Sequence, residues 1–270
     1  MLFRSSGAAW RGSVWSHEGY VADVVGRGGE LPNIFSIQGL RLECILVDVL
    51  HAVDLGVASL VVGNVLNEVL PRLGSNREKQ MATLNARLAS WYKANKVASQ
   101  IRGRLTWEKI RVTGSPPEFK AKAAATRHIV PFAASLATEF DTGSEHDRRR
   151  RVVVESLVSF YAMVQAGARR ISANDLRRLP ECCQALCTNY AHLSLEAVRA
   201  NVPAWQLKPK MHLFQHLCHY QVQQFGNPRF YWTYPDEDMV GQMVEVAKAC
   251  HPSTLAKTAL YKWLVMVFKD

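Results

Sequence analysis

The sequence predicts a mostly α-helical protein with a short β element near its start, and three observations carry that expectation. Apolar residues recur at helical spacing: Met81, Leu84, Leu88 and Trp91 mark one buried stripe of a helix over residues 77–96. Helix starts are signposted by Ser144 after the Asp141-Thr-Gly turn, and by Pro235 and Pro252 as first helical residues. By contrast, residues 40–49, LRLECILVDV, have the short apolar, β-branched character of a buried strand.

Residues 1–34 read as an irregular glycine-rich segment. Its Gly26, Gly28 and Gly29 do not make a phosphate loop, because no Lys-Ser or Lys-Thr follows. Residues 35–70 form a strand-helix unit. The strand runs out at Asp48, and Asp54 is placed to cap a helix reaching to about residue 70. The apolar run 57–66, interrupted by Ser59, Gly63 and Asn64, belongs to that helix.

From 71 to 205 the pattern is helical. A loop over 105–117 carries Thr113-Gly-Ser-Pro-Pro, and a helix over 118–140 meets Pro131, which kinks or breaks it. The next helix, 145–168, opens with Arg148–Arg151 on a solvated first turn. One or two helices follow over 172–200. Residues 206–270 continue with a helix over 210–225, closed by Gly226-Asn-Pro. A short strand at 229–233 and two helices, from Pro235 to about 250 and from Pro252 to about 268, complete the chain.

The chain has 270 residues, 48% of them hydrophobic and 21% charged, which suits a folded core rather than general disorder. No stretch of about 18 uncharged apolar residues reads as a membrane span, so no membrane partner is expected. Six cysteines without a CxxC pair suit a reducing compartment. The first fifteen residues carry Arg4, Arg11 and several serines with no acid before Glu18, a pattern shared with organelle transit peptides. The alternative is a chain that starts at an internal Met of a longer reading frame.

Charge is concentrated. Between Arg77 and Arg127 stand twelve basic residues against Glu78, Glu108 and Glu118, nine of the ten net positive charges in a fifth of the chain. A polyanion partner suits that concentration, because each neutralised phosphate releases condensed counterions. A solvated helix face is the other reading.

Three places have the residue types for chemistry. Asp48 ends the strand and His51 follows three residues later. His212 and His216 sit at i, i+4 on one helix, a metal-ligand spacing that Cys187 and His192 could complete as a structural zinc site; a hydrogen-bonded histidine pair is the alternative. Asp236, Glu237 and Asp238 follow Pro235 in a first helical turn, where they either complement the helix dipole or bind a divalent cation.

These places also carry a resemblance. Asp48-Val-Leu-His51 followed by Leu55-Gly56-Val57 resembles the D-x-x-H…LG block of eukaryotic cut-and-paste DDE transposases of the CACTA (En/Spm-like) and KDZ type. Trp232-Thr-Tyr234-Pro235-Asp236-Glu237 resembles their W-x-Y-P-x-E block, and Pro209-Lys210-Met211-His212 with His216-Leu217 their P-K-x-H-x-x-x-H-L segment. Phe119-Lys120-Ala121 through Arg127 is similar to their F-K-A…R segment; the four blocks agree in order and bracket residues 48–237.

The resemblance implies a truncated RNase H-like domain, its short β remnant interrupted by a large basic helical insertion. It implies metal-dependent DNA cleavage and strand transfer, with Asp48 and Glu237 as catalytic metal ligands and Asp236 and Asp238 as substitutes. His51, His212 and His216 become supporting or structural groups, Mg²⁺ or Mn²⁺ the cofactor, and DNA the partner in the nucleus. Lys120, Lys122, Arg127, Arg102 and Arg104 become the phosphate contacts. The family's first acid should lie on an upstream strand, yet only 47 residues precede Asp48 and Asp23 is poorly framed for the role. The expectation is therefore a chain that begins inside the catalytic domain and binds DNA without cutting it. The rival expectations are a helical protein-interaction module, which could form a homo-oligomer, and the zinc-stabilised module.

Overall fold

The computed structural model describes residues 16–111 and 113–267; the transit-type reading of the first fifteen residues falls outside them. The described residues are mostly helical, with no strand among them. The chain divides into two compact units, Met1–Arg229 and Phe230–Asp270.

The first unit is built around one buried helix. It opens as a π-helical segment, Leu50–Ala58, and runs directly into α2, Ser59–Val69 (α1 is His17–Gly26). Leu50–Arg72 is apolar and long enough to cross a membrane, with a mean hydropathy of 1.5, yet 83% of its apolar window is buried inside the protein. It is a core helix. Around it lie α3 (Arg77–Asn95), the short α4 (Trp107–Ile110), α5 (Ala123–Glu139), α6 (Glu145–Ala166), α7 (Ala173–Arg199) and α8 (Lys210–His216). The α6–α7 pair makes the largest helix contact, α5 packs on both α6 and α2, and α8 packs on the π-helical segment. Edge-to-face rings fill the seams, Phe160 against Phe214 at 5.0 Å and Tyr190 against Trp205 at 5.2 Å.

Local signals explain most helix ends. Asn76, Ser144 and Ser172 accept backbone N–H bonds as N-caps of α3, α6 and α7. Helix α5 runs unbroken through Pro131, and α7 is a single helix through Pro180. After α8 the chain continues through a π-helical turn, Leu217–Gln221, into α9, Val222–Phe225. It stops at Gly226, whose φ of 78° and close approach to the Arg169 carbonyl leave no room for a side chain.

Several expectations are corrected. Within the stretch 1–34, read as irregular, His17–Gly26 form α1, capped by the Ser16 hydroxyl that accepts the Gly19 N–H, and within the loop expected over 105–117 Trp107–Ile110 form α4. Residues 40–49 form no strand: Leu42–Cys44 is a 3₁₀ turn, and the extended residues after it find no neighbouring strand. Instead the Gln221 side-chain amide pairs with Val47, accepting from its N–H at 2.7 Å and donating to its carbonyl at 2.8 Å. That satisfies one residue as a neighbouring strand would, and β-branched content alone supplies no second strand. Likewise Pro228–Phe230 is a 3₁₀ turn where a strand over 229–233 was expected.

Asp54 is not the cap of the core helix. Asp48 caps it, accepting the His51 N–H at 2.9 Å, whereas Asp54 is fully buried and accepts a hydrogen bond from the Tyr161 hydroxyl. The arginine run of α6 is not wholly solvated either: Arg150 is 1% exposed.

The second unit holds α10 (Tyr234–Lys248) and α11 (Leu255–Val267), which pack against each other. From Phe230 to Val265 no residue is buried.

Candidate nucleic-acid interface

The basic segment is seated on the core helix by small residues. Gly63 lets the backbone at Glu118 and Phe119 lie against α2; a Cβ at position 63 would fall 2.7 Å from the Phe119 nitrogen. The Phe119 N–H donates to the Ser59 carbonyl at 2.9 Å, and the Ser59 hydroxyl donates to the Phe119 carbonyl. The Asn64 amide donates to the carbonyl of Pro117 at 3.4 Å and accepts from the Trp205 N–H at 2.7 Å.

Two backbone bonds then tie α4 to this segment, Glu118 N–H to the Ile110 carbonyl at 3.1 Å and Lys120 N–H to the Lys109 carbonyl at 2.7 Å. Lys120 and Lys122 are therefore exposed cations on a backbone with little freedom. Arg127 is half-buried, its Nε and Nη1 shielded from solvent.

Some basic side chains of the segment have structural roles. Lys109 donates to the carbonyls of Arg102 at 3.1 Å and Arg104 at 2.9 Å, clamping the loop that exposes those two arginines. Arg111 donates to the Ser115 carbonyl, and Arg87 pairs with Glu139 at 2.7 Å. On the acidic side Glu118 is paired with Lys208 at 2.7 Å. Arg77, Lys79, Lys93, Lys96, Arg102, Arg104, Lys120 and Lys122 remain exposed.

Between α3 and residues 100–107 runs a groove of about 1,040 Å³. Asn85 holds its wall, accepting the Leu105 N–H at 2.8 Å and donating to the Leu105 carbonyl at 3.1 Å, and the Tyr92 hydroxyl accepts the Ile101 N–H at 3.2 Å. At one end the Arg77 guanidinium stacks over Trp107, 5.1 Å from the ring centre.

The acidic and histidine positions are distributed differently. Asp48 is bonded to the His51 ring at 2.7 Å in the first unit, while Asp236, Glu237 and Asp238 are exposed at the start of α10 in the second. His212 and His216 bond to each other through their Nε2 atoms at 3.0 Å, one ring donating to the other, and His216 borders a cavity of about 640 Å³ with Tyr220 and Gln221. Cys187 is buried on α7, where the neighbouring Cys183 thiol and burial hold its own thiol well above the ordinary range. Among the described residues no three of His, Cys, Asp or Glu gather as a metal ion requires.

Sequence reasoning missed a charge network that is buried at Arg150 and Asp147 and opens to solvent at His146 and Glu196. Arg150 bonds Asp147 at 2.8 Å and Glu68 at 3.2 Å, and His146 lies between Glu68 at 3.1 Å and Glu196 at 2.9 Å. The Glu68 hydrogen bond, with help from Glu196 and against partial burial, raises His146 to about 9. Burial opposes ionisation of Asp147, but Thr142, Arg150 and Arg72 outweigh it and hold the carboxyl at about 2. No protein-family model matches the chain, nor does any curated protein or solved structure.

Proposed function

We propose that this chain is a DNA-binding protein derived from a DDE transposase, its phosphate contacts made by the segment from Arg77 to Arg127. One observation carries the binding reading: in a segment of twelve basic residues and three acids, exposed Lys120 and Lys122 stand on or beside a backbone stretch, 117–120, that is hydrogen-bonded to the core helix and to α4. Positioned cations of this kind neutralise phosphates without first having to be ordered.

The transposase ancestry rests on the four ordered sequence blocks. Its support in the fold is that the first and third meet, Lys210 lying against Gly56. In the ancestral reaction two divalent cations would activate water and stabilise the leaving oxygen of a phosphodiester. Two of that reaction's three acids have matching positions, Asp48 and Glu237, so binding is the activity proposed for this chain and no cleavage step is assigned to it.

The test is the salt dependence of affinity for duplex DNA. Replacing Lys120 and Lys122 together with glutamine lowers the slope of log K against log salt by about 2, at roughly 0.9 for each phosphate no longer neutralised. An unchanged slope removes these lysines from the interface, and absence of binding at low salt removes the reading.

A further inference from the structure

We propose that the groove along α3 receives a single nucleic-acid strand, with Arg77 holding a phosphate at one end, Lys93 at the other and Arg104 between them. This rests on the DNA-binding reading and adds which form of nucleic acid the groove takes and where it lies.

Shape is the first argument. A protein reads duplex DNA by pushing a convex element into a groove about 12 Å wide. Here the protein itself is concave, and proteins that hold single strands combine a cationic groove with aromatic platforms. The groove of about 1,040 Å³ lies at the upper end of the roughly 300–1,000 Å³ typical of small-molecule pockets. From Arg77 to Lys93 its floor follows α3 for about 24 Å, at 1.5 Å per residue. Ala82, Ala86 and Ala89 are exposed along that floor, so a strand can approach the helix closely.

Charge is the second. Arg77, Lys93 and Arg104 line the groove and are exposed, and among the described residues Glu78 is the one acid in the lining. The Arg77–Trp107 stack adds a planar cation of the kind on which a base stacks. Rigidity is the third: the Asn85–Leu105 and Tyr92–Ile101 bonds hold the wall in place before any ligand arrives.

The experiment uses the full chain and a fluorescein-labelled oligothymidine of about a dozen nucleotides, within the length range single-strand grooves take. Anisotropy is followed over a salt series, with a duplex of equal length alongside. The triple variant Arg77→Gln, Lys93→Gln, Arg104→Gln lowers the single-strand slope by about 2, at roughly 0.7 per phosphate. Glu78→Gln tightens single-strand binding about two- to fivefold, as removal of one exposed repulsive charge should, and a folding defect cannot produce that gain.

An oligothymidine slope unaltered in the triple variant, or no gain from Glu78→Gln, overturns the groove proposal. If duplex binding then still depends on Lys120 and Lys122, the broader DNA-binding reading stands. If neither oligonucleotide binds and polyglutamate does, both fall.

Discussion

Lys210 lies across Gly56: its Nζ donates to the Leu55 carbonyl at 2.9 Å, and a Cβ at position 56 would fall 2.5 Å from Lys210 Cδ. The two residues come from sequence blocks some 155 positions apart. The carbonyl that receives the ammonium belongs to the π-helical segment, where the widened turn departs from ordinary α-helical pairing. A glycine and a lysine of the resembling motifs thus have a packing reason to be there.

Gly56→Ala should therefore cost about 1–3 kcal/mol of stability, the usual penalty for overfilling a packed site. Most of that penalty should disappear in a Lys210→Ala background, because the clashing stem is gone. Urea unfolding of the four proteins in a double-mutant cycle measures the coupling; additive costs would mean that the two residues do not constrain each other.

Gly63 is less forgiving, since its Cβ would meet backbone rather than a flexible side chain. Gly63→Ala is expected to cost about 3 kcal/mol, at the upper end of overpacking penalties, and to loosen the segment carrying Lys120. Hydrogen exchange at the Phe119 amide, which donates to the Ser59 carbonyl, should accelerate well beyond that of amides in α7.

Arg150 bridges Asp147 and Glu68 at 1% exposure. Arg150→Ala leaves carboxylates without their buried partner and should cost about 3–5 kcal/mol. Chemical denaturation reads this directly. Arg148→Ala is the comparison: Arg148 is exposed and pairs with Glu145 at 2.7 Å, and its replacement should stay within about 1 kcal/mol of the parent.

His146 sets a pH dependence. Its folded value of about 9 lies above its ordinary 6.5, so the stabilisation is fully present below 6.5 and is lost as pH rises through about 9. The melting temperature should fall as pH is raised from the ordinary value through the folded one, and His146→Gln should flatten that fall. Asp147, lowered to about 2 from 3.8, acts at the other end: its contribution holds above 3.8 and is lost as pH falls through about 2.

Features set by neighbouring residues were legible in the sequence. The Leu84–Leu88 part of the α3 stripe, the Ser144 cap, the Gly226 stop and the helix start at Tyr234-Pro235 each follow from a few adjacent side chains, although Tyr92 is buried where Trp91 was expected and Met81 is half-buried. Features set by distant partners were not. Residues 40–49 have strand composition, but whether a strand forms depends on a partner, and the partner is the Gln221 side chain, 174 positions from Val47. Among four consecutive arginines the buried one is Arg150, held by Asp147 and the Phe140 carbonyl nearby and by Glu68, 82 positions away, which the run itself does not reveal. The basic residues of the segment 77–127 could be named from charge alone; the groove could not, because its wall depends on Asn85 reaching Leu105.

Whether the segment from Arg77 to Arg127 meets nucleic acid is the question on which the proposed function turns. Photo-crosslinking the full chain to DNA carrying reactive bases, followed by peptide mapping, tests it most directly. Crosslinks are expected within residues 77–127. Crosslinks confined to residues 145–199 or 230–267, or none at low salt, would contradict a nucleic-acid interface on this segment.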